Sequence, residues 1–298
     1  MALAPVGIIT YSRISHLKQT VESLQNNTLA FKSELFIFLD GPQEGEEELV
    51  GVVREYIYTI DGFKKVHIFE RKTNSQIENA ENGIRKLFDE YGKCIFMEDD
   101  VVTAPGFLEY MNAALEFYKD NPQILSVGGH TPNLQSLKNS SHDVYFVKRF
   151  HGWGAGYWSE KYFWDTKLPS FNEIIEDSRL TKSIDQFGND LLPMIKLESE
   201  GSLNAYDVRA TYFMNKHDLY MVLPRRTLVK NIGLDGSGLR CGNNDIYADD
   251  ILSKKTTFNF TNKIELYANA LKEYKKIYDR PNGALRFLGK VRKVFRLS

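Results

Sequence analysis

The 298-residue sequence is poor in the features that mark several protein classes. It has two cysteines, Cys94 and Cys241, in no pairing or metal-ligand pattern. That excludes a disulfide-framed scaffold and points to a reducing compartment. The 38 Lys and Arg nearly cancel the 39 Asp and Glu, leaving a net charge of -1. No bulk positive field is available for nucleic acid, so no nucleic-acid partner is expected. The start, Met1-Ala-Leu-Ala-Pro5, lacks a basic leader followed by a long apolar run. Neither a signal peptide nor a transmembrane helix is expected, which favours a cytoplasmic location. Internal repeats and low-complexity tracts are missing too.

Apolar residues, at 42%, are numerous enough for a sizeable core, and 16 Tyr, 19 Phe and 3 Trp supply faces suited both to that core and to sugar rings. Residues 6–9, 35–39, 66–69, 94–97 and 124–127 are short continuous apolar runs, the pattern of strands buried on both faces of a parallel sheet. Between them Ile14, Leu17, Val21 and Leu24 form a helical stripe; Ile77, Ala80, Ile84, Leu87 and Phe88 form another. Phe107, Met111, Ala114, Leu115 and Tyr118 form a third, with Pro105 expected in its first turn. The alternation predicts an α/β fold: a mostly parallel sheet of Rossmann-like βαβ units with helices on both faces. Further strands are expected at 219–223 and 226–230, and helices at 264–278 and 282–297.

Ligands of open α/β sheets sit beyond the carboxyl ends of the strands. Three such ends are polar here: Tyr11-Ser12-Arg13, Asp40-Gly41-Pro42 and Glu98-Asp99-Asp100. Consecutive carboxylates at the end of a buried strand repel one another and are costly to desolvate without a cation. Hard oxygen ligands suit Mg²⁺ or Mn²⁺. An acidic turn that caps the following helix is the plainer alternative. Asp207 opens a helical run, where a carboxylate serves either as a cap or as a general base. In His151-Gly-Trp-Gly-Ala-Gly156, glycines permit close backbone approach and the Trp153 indole offers a face for a sugar; a tight turn with tryptophan in the core is the alternative. His151 has no partner at ligand spacing and reads as structural.

Residues 96–110, Phe-Met-Glu-Asp-Asp-Val-Val-Thr-Ala-Pro-Gly-Phe-Leu-Glu-Tyr, resemble the metal-motif segment of the N-acetylglucosaminyltransferase I family. The likeness runs in the same order from about Pro5 to Gly242. It takes in Ile9-Thr-Tyr-Ser-Arg13, Leu39-Asp-Gly41, the glycine and tryptophan segment at 151–156, and Asn204-Ala-Tyr-Asp-Val-Arg209. Bacterial surface-polysaccharide transferases carrying a Val-Lys-Asn-Ile-Gly-x-Asp-Gly-Ser-Gly run are similar as well, and the run stands here at 229–238. The resemblance implies a GT-A fold and an inverting transfer of sugar from a nucleotide sugar. Asp100 would then bind the metal, Mn²⁺ or Mg²⁺, with Glu98 and Asp99 facing ribose and donor sugar. Asp40 would accept the imide N–H of uracil, and Tyr11 and Arg13 would lie against base or phosphate. Trp153 and Gly154 would line the sugar and acceptor side, and Asp207 would be the catalytic base. The family surrounds that base with more aromatic residues than the single Tyr206 found beside it here.

A transferase domain over 1–262 is expected, divided into a nucleotide-sugar-binding half at 1–130 and an acceptor and catalytic half at 131–262. Residues 231–244 have the glycine-rich composition of a lid, from which Arg240 would reach the pyrophosphate. Residues 263–298 are expected to form a helical extension, whose end carries Arg286, Lys290, Arg292, Lys293 and Arg296 without an acid. A basic amphipathic helix of that kind reads either as a contact to anionic membrane, where a lipid-linked acceptor would lie, or as a docking helix. The function expected is transfer from a UDP-sugar to a glycan or lipid-linked glycan in surface polysaccharide synthesis. A sugar-phosphate nucleotidyltransferase would carry a glycine-rich basic loop after the first strand, and Tyr11-Ser-Arg-Ile-Ser15 is not one. A catalytically silent carbohydrate-binding relative is the alternative from the binding class.

Overall fold

The fold comes from a computed structural model that describes residues 2–163, 167–236, 247 and 250–279. Its first half alternates strand and helix: β1 (Val6–Thr10), α1 (Ile14–Gln25), β2 (Glu34–Leu39), α2 (Glu47–Ile57), β3 (Lys65–Glu70), α3 (Gln76–Tyr91) and β4 (Lys93–Glu98). These four strands lie side by side in parallel, in the order β3-β2-β1-β4. The chain winds outward from β1 to β3 and then crosses back to place β4 on β1's other side. That reversal puts a crevice between the carboxyl ends of β1 and β4, where ligands of such sheets sit.

The sheet continues through β8 (Ala155–Trp158), β6 (Ile124–Gly128), β9 (Tyr220–Pro224) and β7 (Val144–Val147). Strand β8 runs antiparallel between β4 and β6, and β7 is antiparallel to β9, so the eight strands are mixed at this end. The alternation of side chains across each strand feeds two cores. Leu35, Ile37 and Leu39 of β2 join one with α1, α2 and α4 (Phe107–Phe117), whereas Phe36 and Phe38 join the other with α3. The second core also takes α6 (Ser178–Asp185), α7 (Leu191–Ser199), α8 (Tyr206–Lys216) and α9 (Ala268–Tyr278), while α5 (Phe171–Glu176) adds Ile174. Helices thus cover both faces of a mostly parallel sheet, the α/β arrangement that the apolar runs predict.

A separate ribbon pairs β5 (Val101–Thr103) antiparallel with β10 (Val229–Asn231). It starts where the acidic run ends and lays residues 231–233 over Asp100, with the Ile232 amide donating to the Asp100 carbonyl at 2.8 Å.

Several expectations shift by a few residues. Pro105 precedes the Gly106 N-cap of α4 instead of entering its first turn. The strand expected at 226–230 is β10, paired outside the main sheet, and the helix expected from 264 begins at Ala268. Helix α2 was not read from the sequence. Helix α9, inside the expected extension, buries Ala270, Tyr274 and Tyr278 against the body. The helix expected at 282–297 lies outside the described residues. Among the described residues no helix is long and apolar enough to cross a membrane.

Candidate active site

The turn between β4 and β5 carries Asp99 and Asp100, which are 4% and 5% exposed. Asp99 is tied to the end of β1. Its Oδ2 accepts from the Thr10 hydroxyl at 2.9 Å and from the Tyr11 amide at 3.4 Å, while the Thr20 hydroxyl of α1 donates to its carbonyl at 2.7 Å. Burial pushes the Asp99 carboxyl above its ordinary range, and Arg13 pulls it back. Arg13, at the N-cap of α1, donates from Nη2 to both acids, at 2.6 Å to Asp99 Oδ1 and 2.8 Å to Asp100 Oδ2. Although burial works against its charge, the two carboxylates hold the guanidinium protonated more firmly than usual.

The sequence demands a cation at this cluster, and Arg13 is one. It does not use up the site. Asp100 Oδ1 accepts from Asn231 Nδ2 at 3.2 Å, and Asn231 Oδ1 in turn accepts from the Gly233 amide at 2.8 Å. A Cβ on Gly233 would stand 2.1 Å from Asp100 Oδ2 and 2.8 Å from Arg13 Nη1, so a larger residue would displace one of those side chains or the ribbon. Among the described residues no group of three or more His, Cys, Asp or Glu forms a cage for a metal. Mg²⁺ and Mn²⁺ at phosphate sites are held by one or two carboxylates plus phosphate and water, and a buried acid pair at a sheet crevice fits that kind of ion.

Tyr11 links this cluster to the end of β2. Its hydroxyl donates to Glu46 and accepts from the Gln43 amide at 2.9 Å; burial and Glu46 push its pKa up to about 12. Asp40, 3% exposed, faces neighbouring backbone: Gly41 and Ser75 amides donate to its carboxylate at 3.0 Å, and Asn74 Nδ2 at 3.2 Å. Burial nevertheless raises its pKa. Its bonds are those of a turn-holding aspartate, and they gather the segment after β3 against the end of β2.

Gly154 lies against Val229 of the ribbon, and Trp153 precedes it in the chain. Gly154 has φ +61°, and a Cβ there would lie 3.1 Å from Phe107 and Val229; its carbonyl accepts from the Gly129 amide at 2.9 Å. Half-buried Trp153 packs edge-on against His130 and Tyr247, with centroids 4.7 and 5.0 Å apart. Trp158 is core, with its indole N–H on the Leu115 carbonyl. Asp207 is exposed in the first turn of α8, whose N-cap is Ala205. Beside it Tyr206 stacks on Tyr162 at 4.6 Å and meets Phe150 edge-on at 5.3 Å, so the turn that carries Asp207 is held by aromatics after all. Glu98 ends β4. Arg240 lies outside the described residues.

Tyr11, Arg13, Asp99 and Asp100 therefore meet in one cluster. Asp40 joins them through Tyr11, Gly154 lies near β10 through Val229, Trp153 packs on His130 and Tyr247, and Asp207 stands on a separate helix. Sequence reasoning gave no role to Thr10, Asn231 or Gly233, although the last two open the glycine-rich stretch it singled out. It also passed over His130, fully buried with Nε2 2.9 Å from Asp250 Oδ2. His151 is structural, its ring buried against the Tyr274 hydroxyl.

The family model for glycosyl transferase family 2 matches residues 6–177. The alpha-1,3-mannosyl-glycoprotein 2-beta-N-acetylglucosaminyltransferase of Arabidopsis thaliana is 27% identical over 192 residues, 60% of this chain and 42% of that protein. The chain thus spans less than half the length of this curated relative. Among solved structures, GalNAc-T7 with UDP, GalNAc and Mn²⁺ overlaps 76% of this chain and 43% of its own at 15% identity, with a TM-score of 0.46. Staphylococcus aureus TarS 1–349 covers 78% of this chain and 61% of its own at 12% identity, with a TM-score of 0.42. These overlaps are partial, and the assignment rests on the sequence match. With that match spanning more than half of its length, from β1 past β8, the chain belongs to glycosyl transferase family 2.

Proposed function

We propose that this glycosyltransferase is a metal-dependent, inverting enzyme that moves a sugar from a UDP-sugar to a glycan or lipid-linked glycan acceptor. The observation that carries the reading is the buried Asp99–Asp100 pair at the β1/β4 crevice, bridged by Arg13 and overlaid by residues 231–233. Asp100, with Asp99 held beside it, would hold a divalent ion, which supplies positive charge to the diphosphate. Arg13 adds a fixed charge for the same phosphates or the base. Asp40 and Tyr11 would flank the nucleoside, and the Trp153 indole would present a face to sugar C–H groups. Glu98 and the segment with Arg240 complete the proposed donor side.

Asp207 is the proposed base. An inverting transfer needs one carboxylate to accept the proton of the acceptor hydroxyl as that oxygen attacks the anomeric carbon. Its place in the first turn of α8 favours the ionised carboxylate, and Tyr206 on Tyr162 fixes the turn. Cytoplasmic membrane is the proposed setting, with the basic residues at 282–298 toward anionic lipid.

A panel of nucleotide sugars screened by thermal unfolding, with and without Mn²⁺, tests the donor class. A UDP-sugar should raise the melting temperature with Mn²⁺, as ligands that favour the folded state do, and should be consumed when acceptor glycan is added. Stabilisation by no nucleotide sugar would count against the donor site. Binding of glycan without consumption of any nucleotide sugar would favour the catalytically silent relative.

A further inference from the structure

Arg13 is placed to be more than a phosphate contact. Its Nη2 donates to both acids, its Nη1 is buried without a hydrogen-bond partner among the described residues, and Gly233 closes on it. Asp100 has one oxygen on Arg13 and the other on Asn231, so a cation arriving alone finds both Asp100 oxygens engaged and half of the pair's charge already offset. Separating a half-buried guanidinium from two buried carboxylates is costly unless it gains another anion. A diphosphate is such an anion, and a guanidinium matches its oxygens in a fork.

We infer that Arg13 is the resident counter-ion of the acid pair and couples two binding events: the divalent ion displaces the guanidinium from the carboxylates only when a nucleotide diphosphate is there to receive it. The inference rests on the proposed reading of the site and adds an order to it. Ion and nucleotide each bind weakly alone and tightly together, beyond what the ion–nucleotide complex in solution accounts for. In the free enzyme the pair stays buried without a metal because Arg13 occupies it. Linkage makes the coupling reciprocal.

The test measures Mn²⁺ binding to the full chain by paramagnetic resonance of free Mn²⁺, with no nucleotide and then with UDP. Arg13→Met leaves the acid pair without its counter-ion; Arg13→Lys keeps a charge beside it. Arg13→Met should bind Mn²⁺ alone at least about tenfold tighter than wild type, while Arg13→Lys stays near wild type. UDP should tighten Mn²⁺ binding at least about tenfold in wild type, and by much less in Arg13→Met. Thermal unfolding of each variant reports whether it is folded. If Arg13→Met misfolds, Arg13→Gln, which drops the charge but keeps a hydrogen-bond donor, takes its place and should likewise bind Mn²⁺ alone more tightly than wild type; an unchanged affinity there overturns the role. Equal Mn²⁺ affinity in folded Arg13→Met and wild type overturns the counter-ion role while leaving the donor site standing, provided that UDP and Mn²⁺ still bind together. Binding of neither by wild type overturns both.

Discussion

Asp99 gives one oxygen to the end of β1, through Thr10 and the Tyr11 amide, and the other to Arg13, while Asp100 turns both oxygens to Arg13 and Asn231. The two substitutions should therefore separate. Asp99→Ala leaves a buried hydroxyl without its acceptor and should lower stability by about 1–3 kcal/mol, read by denaturant unfolding. Asp100→Ala should fold and lose transfer activity, as wild type should in chelator; full activity in excess chelator would exclude the metal role. Gly233→Ala brings a methyl within 2.1 Å of Asp100 Oδ2. The ribbon or the Asp100 and Arg13 side chains must then shift, and donor affinity should fall at least about tenfold in a nucleotide titration, with the overpacking cost near 1–3 kcal/mol. Asp207→Asn should preserve donor affinity and cut turnover by about 10²–10⁴-fold. An unchanged turnover number would assign the base elsewhere.

At the scale of elements, the parallel half of the sheet holds its edge through Glu34. This residue opens β2 and accepts from Lys64 at 2.8 Å, His67 at 3.0 Å and Tyr91 at 2.9 Å, joining β2 to β3 and α3. Lys64 first, then His67, holds its carboxyl down at about 2, against an ordinary 4.5. A depressed folded-state pKa means that the contribution is complete above about pH 4.5 and is lost as the pH falls toward 2. Glu34→Gln should cost about 1 kcal/mol at pH 7 and progressively less below pH 4.5, followed by urea unfolding across that range. A constant difference from pH 7 to 2 would deny the ion pairs their role. The strands β1, β2, β4 and β6 were legible because both of their faces are buried, which writes continuous apolar runs into the chain; β3, at the sheet edge, is only half-buried and showed through Val66, Ile68 and Phe69. Helix α2 was not, and its exposed Leu49 and Val52 blur the stripe formed by Val50, Val53 and Ile57. Antiparallel β8, Ala155–Trp158, is four residues long and holds a glycine, too little for periodicity to register. In the site, the acids and Arg13 stood out because charge at the end of a buried strand is anomalous. Asn231 and Gly233 act through a ribbon that pairs residues about 130 apart in the chain, and nothing local announces such a pairing.

Over the whole molecule, two cores share one sheet, and the second is closed by α9. Tyr274 lies against His151 and Phe187, and Tyr278 stacks under the Arg149 guanidinium, which is itself paired with Asp190 at 2.7 Å. Tyr274→Ala should lower stability by about 3–5 kcal/mol, the range for emptying a buried aromatic site. A chain ending at Asp279 keeps α9 and should melt with the full-length protein, yet lose co-sedimentation with vesicles of anionic lipid if the proposed membrane contact of residues 280–298 holds. Equal sedimentation of the two chains would remove that contact from the account. The centre of the account is the acid pair between β1 and β4, and calorimetric titration of UDP reaches it most directly, with Mn²⁺, with excess chelator, and in Asp100→Ala. Tight binding to wild type with Mn²⁺ alone among the three is the predicted result; a UDP affinity indifferent to both chelator and substitution would contradict it.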